Sequence, residues 1–321
     1  MSIPGNESSG SGPSRRQFMH RAATVAGVAA ATGPITTTAR GDAQPSLPTV
    51  PFGEHRITRL ILGGNPIYGH SHFNRLYSQT LRRYHTSDRV MSLLRRSQEV
   101  GIHAWQNSYT ERTLADLLRH RREGGTMNWI LLGKTDWARN PGVINEVAKL
   151  KPLGISQHGH LVEQSRREKQ LRVVEDLLKR TRDTGVMVGF SCHNPQMIEI
   201  AEERGWDVDF YMTSMYYMNR TDAMVRKILG DDLPYGEKYL PSDPPRMCKM
   251  IRQTRKPCLA FKTLAAGRRS DSPAAIRQAL AWVYDHIKPT DALILGMYNQ
   301  ESDQVGQDAD IVRSILTPPT G

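Results

Sequence analysis

The feature that most constrains the fold is a regular alternation of short apolar runs with amphipathic segments along residues 57–316. The runs ITRLILGGNPI (57–67) and NWILLGKT (128–135) have the length and composition of buried strands. The segment SDRVMSLLRRSQEVG (87–101) starts at a capping Ser, ends at Gly and repeats apolar residues every three or four positions, which indicates a helix. Eight strand–helix pairs of this kind follow one another along the stretch.

This alternation predicts an α/β fold, a (β/α)8 TIM barrel over residues 57–316. A doubly wound open sheet is the alternative, but the sequence lacks the GxGxxG turn after its first strand that such sheets use to bind dinucleotides. Residues 44–56 are then a linker, and residues 317–321 are a C-terminal tail. Because the active sites of TIM barrels lie at the carboxyl ends of the strands, candidate functional residues are sought there.

Residues 1–43 resemble an export signal of the Tat type. The Gly/Ser-rich start predicts disorder, and SRRQFMHRAATVAGVAAATG (14–33) places Arg15 and Arg16 before a weakly hydrophobic run. That run is too short and too rich in Ala and Gly for a stable membrane span. We therefore expect the Tat export machinery as a partner, a periplasmic or other extracytoplasmic location, and no stable membrane span after processing.

Composition limits the class of partner. Mean hydropathy is −0.51, which is typical of a soluble globular chain, and the net charge of +11 favours anionic ligands. No zinc-finger spacing and no RNA-binding aromatic motif accompanies this charge, so a small-molecule substrate is expected and nucleic acid is not. The three cysteines, Cys192, Cys248 and Cys258, are irregularly spaced, which argues against a disulfide framework.

Two ionisable residues at neighbouring strand ends are the first candidates for catalysis. Lys134 ends an apolar run, so we expect it to be partly desolvated and able to polarise a carbonyl group. An ion pair with Asp136, or contact with solvent, is the alternative for Lys134. His158 ends the strand GISQHGH (154–160) and is placed to hydrogen-bond a substrate oxygen, with core packing as its alternative.

Metal binding is a second possibility at the same edge of the barrel. His158, His160 and His193 stand near strand ends and are residue types that bind a divalent transition metal. The strand ends carry few carboxylates, however, and metal-dependent barrels usually bring several to the site. A divalent metal is therefore kept as an alternative cofactor, and no residue is assigned as a metal ligand.

Five segments, in order along residues 57–316, resemble the aldo-keto reductase superfamily. They are LILGGNPI (60–67), GIHAWQNS (101–108), VGFSCHNPQMIEIAEE (188–203), PCLAFKTLAAGR (257–268) and GMYNQESDQVGQD (296–308). The resemblance implies a TIM barrel that transfers hydride between NADP and a carbonyl group. Of the family's Asp, Tyr, Lys and His set, the Lys falls on Lys134 and the His on His158. The Asp falls on Gln106, and Tyr109 is the nearest substitute for the Tyr, so the set is incomplete.

The resemblance also implies where NADP would bind. The positions that contact the cofactor in the family fall on Ser191, Phe261, Lys262, Leu264, Gln307 and Asp308. Together these observations predict an exported, nicotinamide-dependent oxidoreductase that acts on a carbonyl or sugar-like substrate, with Lys134, His158 and Tyr109 as catalytic residues. Two alternatives stay open: a metal-dependent sugar isomerase, epimerase or lyase, and a binding barrel without catalytic activity.

Overall fold

The computed structural model describes residues 46–231, 233 and 235–317. The predicted signal at residues 1–43 lies outside the described residues, as does almost all of the predicted tail. In the described part of the chain, no helix has the length and apolar character needed to cross a membrane.

Eight parallel strands form a closed barrel in the order β10-β3-β4-β5-β6-β7-β8-β9, which confirms the predicted TIM barrel. The strands are β3 (Leu60–Gly63), β4 (Ala104–Ser108), β5 (Asn128–Leu132), β6 (Gly154–Gln157), β7 (Met187–Cys192), β8 (Phe210–Ser214), β9 (Cys258–Phe261) and β10 (Ala292–Gly296). The pairing of β10 with β3, which aligns Leu293 with Leu60, closes the ring. Closure excludes the open-sheet alternative.

A short hairpin precedes the barrel and fills its interior. β1 (Thr49–Phe52) pairs with β2 (His55–Thr58), and its Phe52 ring lies 4.9 Å from the ring of Phe210 inside the barrel. Phe52 is fully buried and belongs to the same apolar cluster as Ile61 and Ile130 of the barrel strands. Much of the segment predicted as a linker, 44–56, therefore contributes to the hydrophobic core.

The helices cover the outer face of the barrel. They are α1 (Arg75–Tyr84), α2 (Ser87–Glu99), α3 (Glu111–Arg122), α4 (Val143–Ala148), α5 (Gly159–Arg167), α6 (Leu171–Arg182), α7 (Gln196–Glu203), α8 (Asp222–Leu229), α9 (Asp243–Gln253), α10 (Pro273–His286) and α11 (Gln304–Leu316). A second apolar cluster, which includes Trp105, Trp129 and Phe190, lies between strands and helices. α1 and α8 belong to two long connections, after β3 and after β8, at the carboxyl ends of the strands.

Candidate functional site

The carboxyl ends of the strands divide into two halves with different chemistry. In the cavity half, formed by β9, β10, β3 and β4, a cavity of about 440 Å³ extends from the barrel mouth toward the loops after β9 and β10. In the histidine half, formed by β5 to β8, His158 and His193 follow two neighbouring strands. A larger groove of about 950 Å³ lies between α4 and α6, away from the strand ends where barrel enzymes act.

Lys262 is the most unusual residue of the cavity half. Side chains alternate along β9, so Phe261 points into the barrel and Lys262 would be expected to point outward. The backbone of Lys262 instead has a φ of +64°, and its side chain lines the cavity. Its Nζ is buried and has no hydrogen-bond partner among the described residues. Burial lowers the pKa of Lys262 to about 8, against the opposing effect of the Glu237 charge.

Asp308 brings an acid to the same cavity. It lies in the first turns of α11 and is only 5% exposed. The described residues offer its carboxyl group no hydrogen bond and no ion pair, and burial alone raises its pKa to about 7. A carboxyl group that keeps its proton near neutral pH can both donate and accept hydrogen bonds.

Two long connections meet over the cavity half. His72, in the connection after β3, places Nδ1 2.7 Å from Oε1 of Glu237 in the connection after β8. Tyr239 donates its hydroxyl to the other oxygen of Glu237 at 2.8 Å. The guanidinium of Arg268 stacks on both Tyr239 and Phe73, at 4.5 and 5.2 Å from the ring centroids. These contacts hold the two connections together beside the buried Lys262.

The histidine half is organised around a buried carboxylate. Glu163, on α5, has a side chain that is 4% exposed. Its Oε1 accepts the backbone N–H groups of His193 and Asn194 at 2.5 and 2.9 Å, and its Oε2 accepts Nδ2 of Asn219 at 2.7 Å. Burial raises the pKa of Glu163, but the hydrogen bonds and charge of His193 outweigh burial and lower it below the usual range.

Both histidines of this half are held by neighbouring groups. Nδ1 of His193 lies 3.6 Å from Oε1 of Glu163 and 3.2 Å from Nδ2 of Asn219. His158 caps α5, because its Nδ1 accepts the backbone N–H of His160 at 3.2 Å. Burial, together with the charges of His193 and His160, lowers the pKa of His158 to about 4, so its ring is neutral at pH 7.

The structure separates the three predicted catalytic residues. β5 ends at Leu132, and Lys134 precedes a 3₁₀ turn; its side chain is 47% exposed and its Nζ lies 3.6 Å from Asp136. The expectation of a desolvated Lys134 is therefore wrong, and the alternative of an ion pair with Asp136 is confirmed. Tyr109 packs edge-on against the ring of Trp137 at 5.6 Å. His158 and Tyr109 are both half-buried, whereas Lys134 is exposed.

Five of the six predicted cofactor contacts line the cavity: Phe261, Lys262, Leu264, Gln307 and Asp308. Ser191 is buried in β7 and is not among the lining residues. The cavity nevertheless fits NADP poorly. Among the described residues that line it, Lys262 is the one Lys or Arg, and Asp271 adds a carboxylate. A ligand with several phosphate groups normally requires several cationic partners.

The described residues show no preformed metal site around the histidines. Within the described residues, no group of three or more His, Cys, Asp and Glu side chains is arranged to hold a metal ion. His160 is exposed, and His193 is engaged by Glu163 and Asn219. The alternative of a divalent metal bound by His158, His160 and His193 therefore has no preformed ligand set here.

Sequence reasoning missed Glu163, Asn219 and Glu237. Glu163 lies in HLVEQSRREK (160–169), which has the composition of a solvated helix end, and its side chain is buried only because α5 packs against the end of β7. Asn219 and Glu237 lie in the long connection after β8, for which the sequence gives no periodicity to locate a side chain.

No protein-family model and no curated protein matches the chain. Similar solved structures include the truncated form of 3-deoxy-D-arabino-heptulosonate 7-phosphate synthase from Thermotoga maritima, at 14% identity over 84% of this chain and 91% of that one, with a TM-score of 0.49. The apoform of Gox0644 has 10% identity over 84% and 94%, with a TM-score of 0.48. The native KDPGal structure has 12% identity over 80% and 90%, with a TM-score of 0.39.

We correct the predicted nicotinamide-dependent oxidoreductase on the residues of the site itself. Two features of the site agree with the correction: Lys134 is exposed and ion-paired, and the cavity has a single basic residue of the Lys or Arg type among its described lining. The resemblance to aldo-keto reductases stays a prediction. At this level of identity the likeness concerns the barrel fold, so the residues of this chain carry the functional argument.

Proposed function

We propose that the protein is a lyase that forms a Schiff base between Lys262 and the carbonyl group of a small substrate, and that it makes or breaks a carbon–carbon bond beside that carbonyl. The observation that carries the proposal is the position of Lys262: at the end of a barrel strand, lining a cavity, with Nζ buried and without a hydrogen-bond partner among the described residues. The lyase alternative of the sequence analysis is thus retained, without a metal.

A buried amine is suited to this chemistry because the unprotonated form is the nucleophile. With its pKa lowered to about 8, Lys262 is unprotonated in roughly one molecule in ten at pH 7. An exposed lysine with an ordinary pKa is unprotonated in fewer than about one molecule in a thousand. Burial therefore raises the population of the reactive form by more than a hundredfold, roughly 300-fold for a shift from 10.5 to about 8.

The backbone of the loop supports a functional role for this lysine. Lys262, Ala265 and Ala266 all have left-handed φ values, of +64°, +49° and +53°. Such conformations cost on the order of 1–2 kcal/mol for each residue that is not glycine. Strain of this size persists where surrounding contacts enforce it, and it concentrates at ligand sites. Here the strained conformation directs the Lys262 side chain into the cavity.

The reaction follows from the groups present. Nζ of Lys262 attacks the carbonyl carbon, and water leaves as the carbon–nitrogen double bond forms. The protonated imine then accepts the electron pair of the bond between the two carbons that follow it as that bond breaks, which leaves an enamine, while the hydroxyl group on the departing carbon loses its proton and becomes a carbonyl group. A proton added to the enamine carbon restores the imine, and hydrolysis with one water releases the second carbonyl product and the free amine. The side chains of Gln106 and Asn65, which also line the cavity, are placed to hold substrate oxygens.

Reductive trapping tests the proposal. The purified protein is incubated with pyruvate, hydroxyacetone or dihydroxyacetone phosphate in the presence of sodium cyanoborohydride, and intact mass and peptide mapping locate the adduct. We expect one adduct per chain at Lys262 with at least one of these carbonyl compounds, and none in Lys262→Met. Lys134→Met is the matched control, since Lys134 is exposed, and it should be labelled like the parent.

The outcome that contradicts the proposal is equally direct. Absence of any adduct in the parent protein, or equal labelling of exposed lysines and Lys262, would remove Lys262 as the nucleophile. Thermal melting of each variant shows whether a loss of labelling follows from unfolding.

A further inference from the structure

We infer that His72, oriented by Glu237, is the base that takes protons from the substrate bound at Lys262 and returns them to it. This inference rests on the proposed Schiff base at Lys262, and it adds a catalytic residue to the same cavity. His72 and Lys262 both line that cavity, and Nδ1 of His72 lies 2.7 Å from Oε1 of Glu237. Of the two histidines among its described lining residues, His70 and His72, only His72 has a carboxylate bound to its ring.

The first step is the tautomer of the His72 ring. Burial raises the pKa of Glu237, but the hydrogen bonds from His72 and Tyr239 and the charges of His72 and Lys262 outweigh burial and lower it to about 2. Glu237 is therefore ionised at neutral pH and can only accept, so Nδ1 of His72 carries the hydrogen of their contact. In the neutral ring Nε2 is then the unprotonated nitrogen. None of the hydrogen bonds among the described residues involves Nε2.

The second step is that the group which orients His72 is itself held in place. Tyr239 donates its hydroxyl to Oε2 of Glu237 at 2.8 Å, so both carboxylate oxygens have a donor. The guanidinium of Arg268 stacks on the ring of Tyr239 at 4.5 Å, and its Nη1 donates to the backbone carbonyl of His72 at 3.4 Å. A carboxylate on one nitrogen of an imidazole stabilises the imidazolium that forms when the other nitrogen takes a proton. Glu237 and Tyr239 are thus positioning residues that act through His72.

The third step is the closeness of this pair to Lys262. The cavity that His72 and Lys262 share has a volume of only about 440 Å³. Lys262 and Glu237 are near enough for each charge to shift the other's pKa: Glu237 opposes the effect of burial on Lys262, and Lys262 helps to keep Glu237 ionised. Arg268, which binds the carbonyl of His72, also lowers the pKa of Lys262. A substrate bound to Lys262 therefore occupies a cavity whose wall includes His72.

The backbone sets His72 apart in the same way as Lys262. The φ of His72 is +54°, that of Lys262 is +64° and that of Ala266 is +53°, and all three residues line the cavity. They are three of the six described residues other than glycine that have a left-handed φ. Such strain persists where surrounding contacts enforce it, and it concentrates at ligand sites. The two residues to which we assign chemistry are thus both held in strained conformations around one cavity.

The proton transfer balances as follows. Nε2 of His72 takes the proton of the hydroxyl group on the departing carbon, and the electron pair of that bond forms the new carbonyl group. The carbon–carbon bond breaks, its electron pair forms the double bond of the enamine, and the imine electrons move to Nζ of Lys262. Nε2 then gives its proton to the enamine carbon, which restores the imine. A compound without a bond to break loses and regains a proton at that carbon, and in D2O it gains deuterium.

Deuterium exchange tests the inference separately from the Schiff base. Of pyruvate, hydroxyacetone and dihydroxyacetone phosphate, the compound trapped most efficiently at Lys262 is incubated with each variant in D2O, and proton NMR follows the loss of its α-proton signal. We expect His72→Asn to form one adduct at Lys262 with cyanoborohydride, while its exchange rate falls at least about a hundredfold. His72→Ala should regain part of its exchange when free imidazole is added.

Glu237→Gln gives a readout in which trapping and exchange change in opposite directions. The charge of Glu237 helps to keep the proton on Lys262, so its loss should lower the pKa of Lys262 further and speed trapping at pH 7. The same substitution removes the charge that stabilises the imidazolium of His72, so exchange should fall by roughly tenfold or more. A residue that only supported the fold would slow both reactions when substituted.

Two further histidine variants serve as comparisons. His160→Asn is the matched control and should be trapped and exchange like the parent, because His160 is exposed and is not among the described residues that line the cavity. His70→Asn tests the other imidazole of the cavity. It should lose far less exchange than His72→Asn, because no carboxylate among the described residues orients the ring of His70.

Each result has a distinct reading. Parental exchange in His72→Asn, a loss in His70→Asn as large as that expected for His72→Asn, or a parent protein that forms the adduct without any exchange would overturn the role of His72 and leave the Schiff base intact. Slower trapping together with slower exchange in Glu237→Gln would overturn the positioning role of Glu237. No adduct at Lys262 in the parent would overturn the proposed lyase, and this inference with it.

Discussion

The two halves of the barrel mouth bury ionisable groups in opposite ways. In the cavity half, Lys262 and Asp308 are buried without a hydrogen-bond partner among the described residues, and burial shifts both pKa values toward neutrality. In the histidine half, the buried Glu163 accepts hydrogen bonds from three donors and keeps its charge. Burying Lys262 and Asp308 without partners destabilises the folded state. The hydrogen bonds to Glu163 offset most of the free energy that burying its charge costs.

This difference bears on the role of each half. A polar group that is buried without a partner is suited to bind a ligand, because the ligand supplies the hydrogen bond or ion pair that the free protein does not provide. A carboxylate with fixed partners is instead suited to hold another residue in place. We therefore expect substitutions of Lys262 or Asp308 to stabilise the fold while abolishing function, and substitutions of Glu163 to show no such gain.

The largest effect on stability is expected at Asp308. Its folded-state pKa of about 7 lies above the unfolded value, so its contribution is most favourable at low pH and is lost as pH rises through 7. The shift from 3.8 to about 7 corresponds to roughly 4 kcal/mol at pH 8. Asp308→Asn should therefore raise the free energy of unfolding at pH 8 by up to about 4 kcal/mol, with little change at pH 4, as measured by urea titration.

Asp310→Asn provides the comparison on the same helix. Asp310 is 56% exposed and pairs with Arg313, so its removal should change stability by less than about 1 kcal/mol at either pH. A variant Asp308→Asn no more stable than the parent at pH 8 would mean that Asp308 has a partner in solution, and the contrast between the two halves would fail.

A smaller effect of opposite pH dependence is expected at His158. Its folded-state pKa of about 4 lies below the unfolded value of 6.5, so its contribution is full above pH 6.5 and is lost as pH falls toward 4. The shift corresponds to about 3 kcal/mol. His158→Asn, which keeps a capping side chain for α5, should lose about 3 kcal/mol less than the parent between pH 7.5 and pH 4 in denaturant titrations.

His160→Asn serves here as the exposed neighbour. Because His160 is a smaller cause of the lowered pKa of His158 than burial is, the loss of stability in this variant between pH 7.5 and pH 4 should be close to that of the parent. Parallel curves for His158→Asn and the parent would show that the His158 ring titrates as in the unfolded chain. The histidine half would then lack the imidazole that its surroundings keep neutral down to about pH 4.

The sequence was sufficient for the barrel and for part of the site. Strand and helix periodicity located the barrel, and the strand ends pointed to His158 because topology alone brings strand ends together, whereas Lys262 entered as a cofactor contact implied by the family resemblance. Lys134 was misjudged because an apolar run does not reveal where its strand stops: β5 ends two residues earlier, and the turn that follows is exposed. A strand end is predicted less well than the strand itself.

The burial of Lys262 and Glu163 could not be read from the sequence for a different reason. Whether a charged side chain is buried depends on backbone dihedrals and on packing between elements that are distant in the chain. For Lys262 the decisive feature is its left-handed φ, and for Glu163 it is the contact of α5 with the end of β7. Neither leaves a periodic signal, because each concerns a single residue.

The smallest effect is expected at the strained loop of the cavity half. Ala266 has φ +53° and ψ +45°, a left-handed conformation that glycine adopts without the steric cost of a Cβ. Ala266→Gly should therefore raise the free energy of unfolding by about 1 kcal/mol, whereas Ala115→Gly, at an exposed position inside α3, should lower it by about 1 kcal/mol. If both variants lose stability alike in urea titrations, the loop does not hold this conformation in solution. The orientation of Lys262 would then depend on ligand binding, and the cavity half would be less preorganised than the histidine half.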